Sequence, residues 1–154
     1  GAVQVGYNGT GTANIVISGS VASGSTIAIT SLSSGNSGAL FATVSGSLTG
    51  TGVSIDGAAG ADTFNVTGTI TSGSTIAING NAAADTYYIK PQSSAAFSFN
   101  NASDTQANTL QILTSTLNIV SASIAGGVDF TTASGFVDWP AGNLTAITTL
   151  IPTI

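Results

Sequence analysis

Seven residues of this chain occur twice without change. Ser23-Gly24-Ser25-Thr26-Ile27-Ala28-Ile29 returns as Ser72-Gly73-Ser74-Thr75-Ile76-Ala77-Ile78. Between the copies, Gly50-Thr51-Gly52-Val53-Ser54-Ile55 is the same unit one residue shorter. A second unit precedes or follows each of these. It reads Ala13-Asn14-Ile15-Val16-Ile17, then Ala61-Asp62-Thr63-Phe64-Asn65-Val66, Ala84-Asp85-Thr86-Tyr87-Tyr88-Ile89 and Ala107-Asn108-Thr109-Leu110-Gln111-Ile112. From Phe64 to Tyr87 and from Tyr87 to Leu110 the step is 23 residues. A fixed period of about 20–50 residues is the mark of a solenoid, in which each coil buries its inner face only against its neighbours.

The units themselves are strands. Apolar residues alternate over runs such as Ile15-Val16-Ile17, Val53-Ser54-Ile55, Phe97-Ser98-Phe99 and Leu117-Asn118-Ile119, and no helical period is sustained. Clusters of Gly, Asn, Asp and Ser separate the runs, as turns between strands require. The expected fold is all-β, a parallel β-solenoid with coils of about 23 residues. The competing arrangement is an antiparallel β-sandwich completed by strand exchange, in which the two units alternate as hairpins. One domain spans 1–154, with the repeats over 13–119. Beyond them, 120–154 carries bulkier residues (Val128, Phe130, Phe136, Trp139) and reads as a degenerate repeat, cap or docking segment.

Composition removes most chemistry. Charged residues are 5% of the chain, with one Lys or Arg, six acids and no His, Cys or Met, against about 25% charged in an average domain. The acids are all Asp: Asp56, Asp62, Asp85, Asp104, Asp129 and Asp138. Without an imidazole, a thiol or more than one amine (Lys90), a non-enzyme is expected. Pairs such as Asp56 with Asp62, or Asp129 with Asp138, could serve glycoside hydrolysis, but nothing else suggests a cleft. Nucleic-acid binding is excluded by a net charge of −5 and a single cation. No apolar run reaches the roughly 18 residues of a membrane helix. The opening Gly1 in place of Met suggests a processed or excised product, most simply a secreted one.

Gly57-Ala58-Ala59-Gly60-Ala61-Asp62-Thr63-Phe64-Asn65 resembles the glycine- and aspartate-rich nonapeptide of calcium-binding RTX β-rolls, and Asn79 to Tyr87 is similar to a degenerate copy. The resemblance implies a Ca2+ ladder of turn carbonyls and carboxylates, with Asp56, Asp62 and Asp85 as candidate ligands and Asn79 and Asn81 beside them. This chain has one such turn per coil rather than tandem nonapeptides. The competing reading is that Asp and Asn only shape the corners through Asx-turns, so that no cofactor is required. More broadly, the unit of turn, Ala-Asp-Thr, aromatic and strand is similar to repeats of bacterial and archaeal adhesins and surface-layer proteins.

Asn-X-Ser/Thr sequons stand at Asn8, Asn65, Asn101 and Asn143, of which Asn8 and Asn101 fall in expected loops where N-glycans could sit. Thr67, Thr69 and Thr71 raise ice binding by a monomeric module, but no Thr-X-Thr recurs at a fixed place in every unit. The scarcity of charge points further. Sheet edges are normally defended by Lys, Pro or bulges, and this chain has one Lys and three Pro. The terminal strands Ala2–Tyr7 and Leu144–Ile154 are apolar enough to complete a neighbour's sheet. The expectation is an extracellular structural protein whose partners are copies of itself, assembled by β-edge pairing into a filament, sheath or surface lattice. The alternatives are a binding module, as an adhesin fragment or ice binder, and a calcium-dependent β-roll.

Overall fold

A computed structural model describes residues 1–31, 37–73, 76–90, 97–99 and 108–113, together with strands at 120–124, 127–132, 135–139 and 147–153. The chain winds as a parallel β-solenoid of about 4 turns, with coils of about 24 residues. The first coil contributes β1 (Val3–Tyr7), β2 (Ala13–Ile17) and β3 (Ser20–Ala22). The second contributes β4 (Thr26–Ser31), β5 (Leu40–Val44) and β6 (Ser47–Gly50), and the third β7 (Gly52–Asp56), β8 (Thr63–Val66) and β9 (Thr69–Ser72). Then follow β10 (Ile76–Asn79), β11 (Thr86–Ile89), β12 (Phe97–Phe99) and β13 (Asn108–Leu113).

Each strand pairs with its counterpart one coil away, because a coil that returns to its starting angle presents the same strand in the same direction. Three sheets result. The first carries β1-β4-β7-β10-β12, the second β2-β5-β8-β11-β13 and the third β3-β6-β9. In the first, Val3, Ile27, Val53, Ile76 and Phe97 form one file, at steps of 24, 26, 23 and 21 residues. The Ile-Ala-Ile ends of the duplicated heptapeptide therefore lie two coils apart in one sheet, with Val53-Ser54-Ile55 between them. In the second, Ala42, Phe64, Tyr87 and Leu110 form a file at steps of 22, 23 and 23. These pairings are parallel throughout, so the antiparallel sandwich is not formed.

The chain continues past the coils into β14 (Val120–Ile124), β15 (Gly127–Thr132), β16 (Gly135–Trp139) and β17 (Ile147–Thr153). The first three form an antiparallel meander joined through β16 to β12, and β17 pairs in parallel with β13. The expected run Leu117-Asn118-Ile119, Asn101 and Asp104 lie outside the described residues.

Alternation decides which side chains enter the core. Ile27, Ile29, Val53, Ile55, Ile76 and Ile78 point inward from the first sheet, and Leu40, Val44, Phe64, Val66, Tyr87 and Ile89 from the second. The third sheet adds a single inward apolar residue per strand, and Leu48 and Ile70 are fully buried. β-Branched residues dominate because they pack well on a pleated surface. Fully burying one such side chain stabilises by roughly 1.5–3 kcal/mol. Parallel register stacks like on like: the Phe64 and Tyr87 rings lie 5.1 Å apart and within 6° of parallel. On the other side of Phe64 the file holds Ala42, a small residue beside a large one.

Candidate functional site

Two places on the solenoid gather polar or unsatisfied groups. One is the corner between the first and second sheets, where the sequence puts its aspartates. The other is the open face of the first coil.

At the corner, Asp62 and Asp85 each sit one residue before the strand that carries the inward aromatic, and both are 1% exposed. The file continues into Asn108, which is also fully buried. Asp62 Oδ1 accepts the Leu40 N–H at 2.6 Å and Asp62 Oδ2 accepts the Ala58 N–H at 2.8 Å. In turn the Asp62 N–H donates to Asp85 Oδ1 at 2.8 Å, and the Asp85 N–H to Asn108 Oδ1 at 2.7 Å. Each side chain therefore satisfies a buried amide of the preceding coil, which strand pairing leaves open at the corner. Gly57 and Gly80 make room for this ladder. A Cβ on Gly57 would overlap Asp62 Oδ2, and one on Gly80 would overlap Asp85 Oδ2 and the Tyr87 hydroxyl.

Asp56 is elsewhere on the corner. It ends β7, half-buried, in register with Asn79, and its backbone carbonyl accepts the Tyr7 hydroxyl at 3.2 Å. Asn79 Oδ1 accepts the Asn81 N–H at 3.2 Å, an Asx-turn, and Asn81 Nδ2 donates to the Gly57 carbonyl at 2.9 Å. Of the three candidate calcium ligands, Asp62 and Asp85 thus share one file, with backbone amides on Asp62's two oxygens. Among the described residues no group of three or more His, Cys, Asp or Glu stands close enough to hold a metal ion.

Burial raises the Asp62 carboxyl from an ordinary 3.8 to about 6, outweighing the two amides that favour its charged form. Burial also raises Asp56, against a stabilising hydrogen bond from Asn79. Tyr7 is pushed up to about 12, by burial first and then by the nearby charges of Asp62 and Asp56. Tyr87 donates to Asp85 Oδ2 at 3.5 Å, the far limit of a hydrogen bond. Tyr87→Phe, which keeps the ring stack, is therefore expected to cost less than about 1 kcal/mol in urea unfolding. A larger loss would mean that the hydroxyl anchors the ladder.

The second place is the first coil. β1, β2 and β3 are edge strands of their three sheets, all at the same end. Their inward residues Val3, Val5, Tyr7, Ala13, Ile15 and Val21 pack on the core yet remain only partly buried. Close by, Val16 is 59% exposed and Phe41 44%, on neighbouring strands of the second sheet's outer face. The strands themselves carry no Pro and no charged side chain, so the charge and proline defences of an edge are absent from them.

Two features escaped the sequence reading. β5 belongs between β2 and β8, and its Leu40, not Asn14, supplies the neighbour of Asp62. The third sheet also brings hydroxyl positions into register. Ser20, Ser47 and Thr69 form one hydroxyl file, and Thr49 and Thr71 form another that ends on Ala22. The signal was the recurring Gly-Ser/Thr-aliphatic-Ala/Thr at 19–22, 46–49 and 68–71. Comparison with family models, curated proteins and solved structures finds no match to the chain.

Proposed function

We propose that this chain is an extracellular structural subunit that assembles with copies of itself, by β-edge pairing, into a filament, sheath or surface lattice. The observation that carries the reading is the first coil: three unpaired parallel edges beside a half-covered apolar layer, with no charge or proline to repel a partner. A further coil laid on that end would satisfy the open amides and carbonyls and cover Val3, Val5, Ile15 and Val21 at once. A non-closing contact of this kind builds a fibre, and a surface with 5% charged residues opposes it weakly. The resemblance to surface-layer and adhesin repeats supports the extracellular setting. The reaction class is association, not catalysis.

The test is negative-stain electron microscopy of the purified chain and of Val5→Lys, which places a charge in the layer to be covered. Ala77→Lys, on the outer face of β10 three coils from that end, is the control. Wild type and Ala77→Lys are expected to form regular polymers, while Val5→Lys stays dispersed with an unchanged circular dichroism spectrum. Dispersed wild-type monomers would defeat the reading and leave the hydroxyl files of the third sheet, as part of a monomeric binding module, the stronger idea. Polymers that dissolve only in chelator would assign the Asp corner to calcium.

A further inference from the structure

We propose that Asn8 is a self-modifying site, converted to aspartate or isoaspartate by the backbone nitrogen of Gly9. The chain has two Asn-Gly pairs, Asn8-Gly9 and Asn79-Gly80. The fold treats them oppositely.

A glycine nitrogen is the least hindered nucleophile that can follow an asparagine. After losing its proton to hydroxide, the Gly9 nitrogen bonds to Asn8 Cγ. The Cγ–Nδ2 bond then breaks and ammonia leaves, which closes a five-membered succinimide. One water opens the ring. Cleavage at Cγ gives aspartate, and cleavage at the main-chain carbonyl gives isoaspartate. One water is consumed, one ammonia is released and no redox partner is needed.

Asn8, Gly9 and Thr10 are exposed at the corner between β1 and β2. Gly9 has a φ of 137°, a conformation that residues with a side chain rarely adopt, and nothing lies closer than 4.0 Å to where its Cβ would be. Among the described residues no hydrogen bond engages the Asn8 amide. The Asn8 side chain can therefore turn onto the next nitrogen without disturbing the coil. Asn79 cannot. Its Oδ1 holds the Asn81 amide, its side chain also bonds Asp56, and its carbonyl accepts the Gly57 N–H at 2.7 Å. Gly80 is buried against Asp85 and Tyr87. Ring closure there needs the corner to open first, so its rate is scaled down by that opening equilibrium.

Conversion adds one negative charge at the rim of the first coil. If that coil is the docking end, a dependence that rests on the proposed function, aged subunits add to a polymer more slowly than fresh ones. The chemistry itself does not depend on assembly.

The purified chain is incubated at mildly alkaline pH and followed by isoelectric focusing and by fragmentation mass spectrometry, folded and in urea. In the folded chain we expect a single acidic step located at Asn8, with Asn79 at least about tenfold slower. In urea the two should react at similar rates. Asn8→Gln abolishes the first step, and Asn79→Gln leaves it. Equal rates in the folded chain, Asn79 reacting first, or a glycan already occupying the Asn8 amide would each overturn the proposal. Asn8→Asp, examined by electron microscopy, separately tests the effect on polymer growth.

Discussion

Replacing Asp62 by Ala is expected to lower the unfolding free energy by about 4 kcal/mol, because two buried amides lose their acceptor together and each orphan costs roughly 1–3 kcal/mol. The Leu40 N–H and Ala58 N–H have no strand partner at this corner, and the ladder from Asn108 through Asp85 ends on them. Asp62→Asn is milder, since one oxygen remains but an NH2 group faces the other amide. Asp85→Asn should be milder still, because the amide of Asn108 already performs the same task one coil on.

Asp62 also sets an unusual pH dependence. Its folded pKa near 6 lies above the ordinary 3.8, so between those values the folded chain holds a proton that the unfolded chain has released. Stability therefore climbs as pH falls through 6 and levels off below about 4. The span is about 2–3 kcal/mol at roughly 1.4 kcal/mol per pKa unit, or on the order of 5–10 °C in Tm for a chain of this size. The shift of half-buried Asp56 has the same sign and a smaller effect. Tyr7, raised to about 12, adds stability that is lost only as pH climbs from 10 to 12. With no His and one Lys or Arg, acid removes carboxylate charge and adds almost no positive charge, so self-repulsion does not unfold the coils. Thermal melts at acidic, weakly acidic and neutral pH check this. The wild type should melt highest on the acid side and Asp62→Asn should be nearly flat, whereas a wild type that weakens on acidification would show its ladder to be held by the ionised carboxylate.

The ladder explains which parts of the fold were legible in the sequence. Phe64, Tyr87 and Leu110 could be placed in one file because the coils that hold them are equal in length and each strand shows clear alternation. The earlier coils were harder. From Ala13 to Leu40 the register advances 27 residues, with the excess between β4 and β5, and from Leu40 to Asp62 it advances 22. A strict 23-residue step back from Phe64 therefore lands on Phe41, one residue out of register with its true partner Ala42. The exposed Phe41 also hides the alternation of its inward neighbours Leu40 and Ala42. The third sheet was invisible for a different reason. Its strands are three or four residues long with one inward apolar side chain each, and one apolar residue has no period. Spacing brought Asp62 and Asp85 together correctly but could not reveal that their oxygens face the backbone, because burial depends on the handedness of the corner.

Gly46→Ala should be as damaging as the loss of Asp62, but at one end only. A Cβ there would overlap the Gly19 carbonyl and stand 2.6 Å from the Ser18 carbonyl carbon. Both obstacles are backbone, which cannot rotate away as a side chain can. The coils must separate, weakening the bonds from the Gly46 N–H to the Ile17 carbonyl and from the Ser47 N–H to the Gly19 carbonyl, at 3.0 and 2.9 Å. Overpacking and two strained hydrogen bonds together cost about 2–4 kcal/mol. Gly24→Ala is the control: nothing lies within 4 Å of its Cβ position and its φ is not positive, so it should be neutral or stabilise by up to about 1 kcal/mol. In a solenoid each coil leans only on its neighbours, so the damage stays local. Hydrogen exchange on Gly46→Ala should show β1 to β3 losing protection while β7, β8 and β11 keep theirs. Uniform loss along the chain would mean that the coils fold as one cooperative block. The local outcome bears on assembly, because a first coil detached from β4 to β6 no longer holds three edges in one plane. Gly46→Ala should then stop polymer growth without adding any charge, whereas Gly24→Ala should leave it intact.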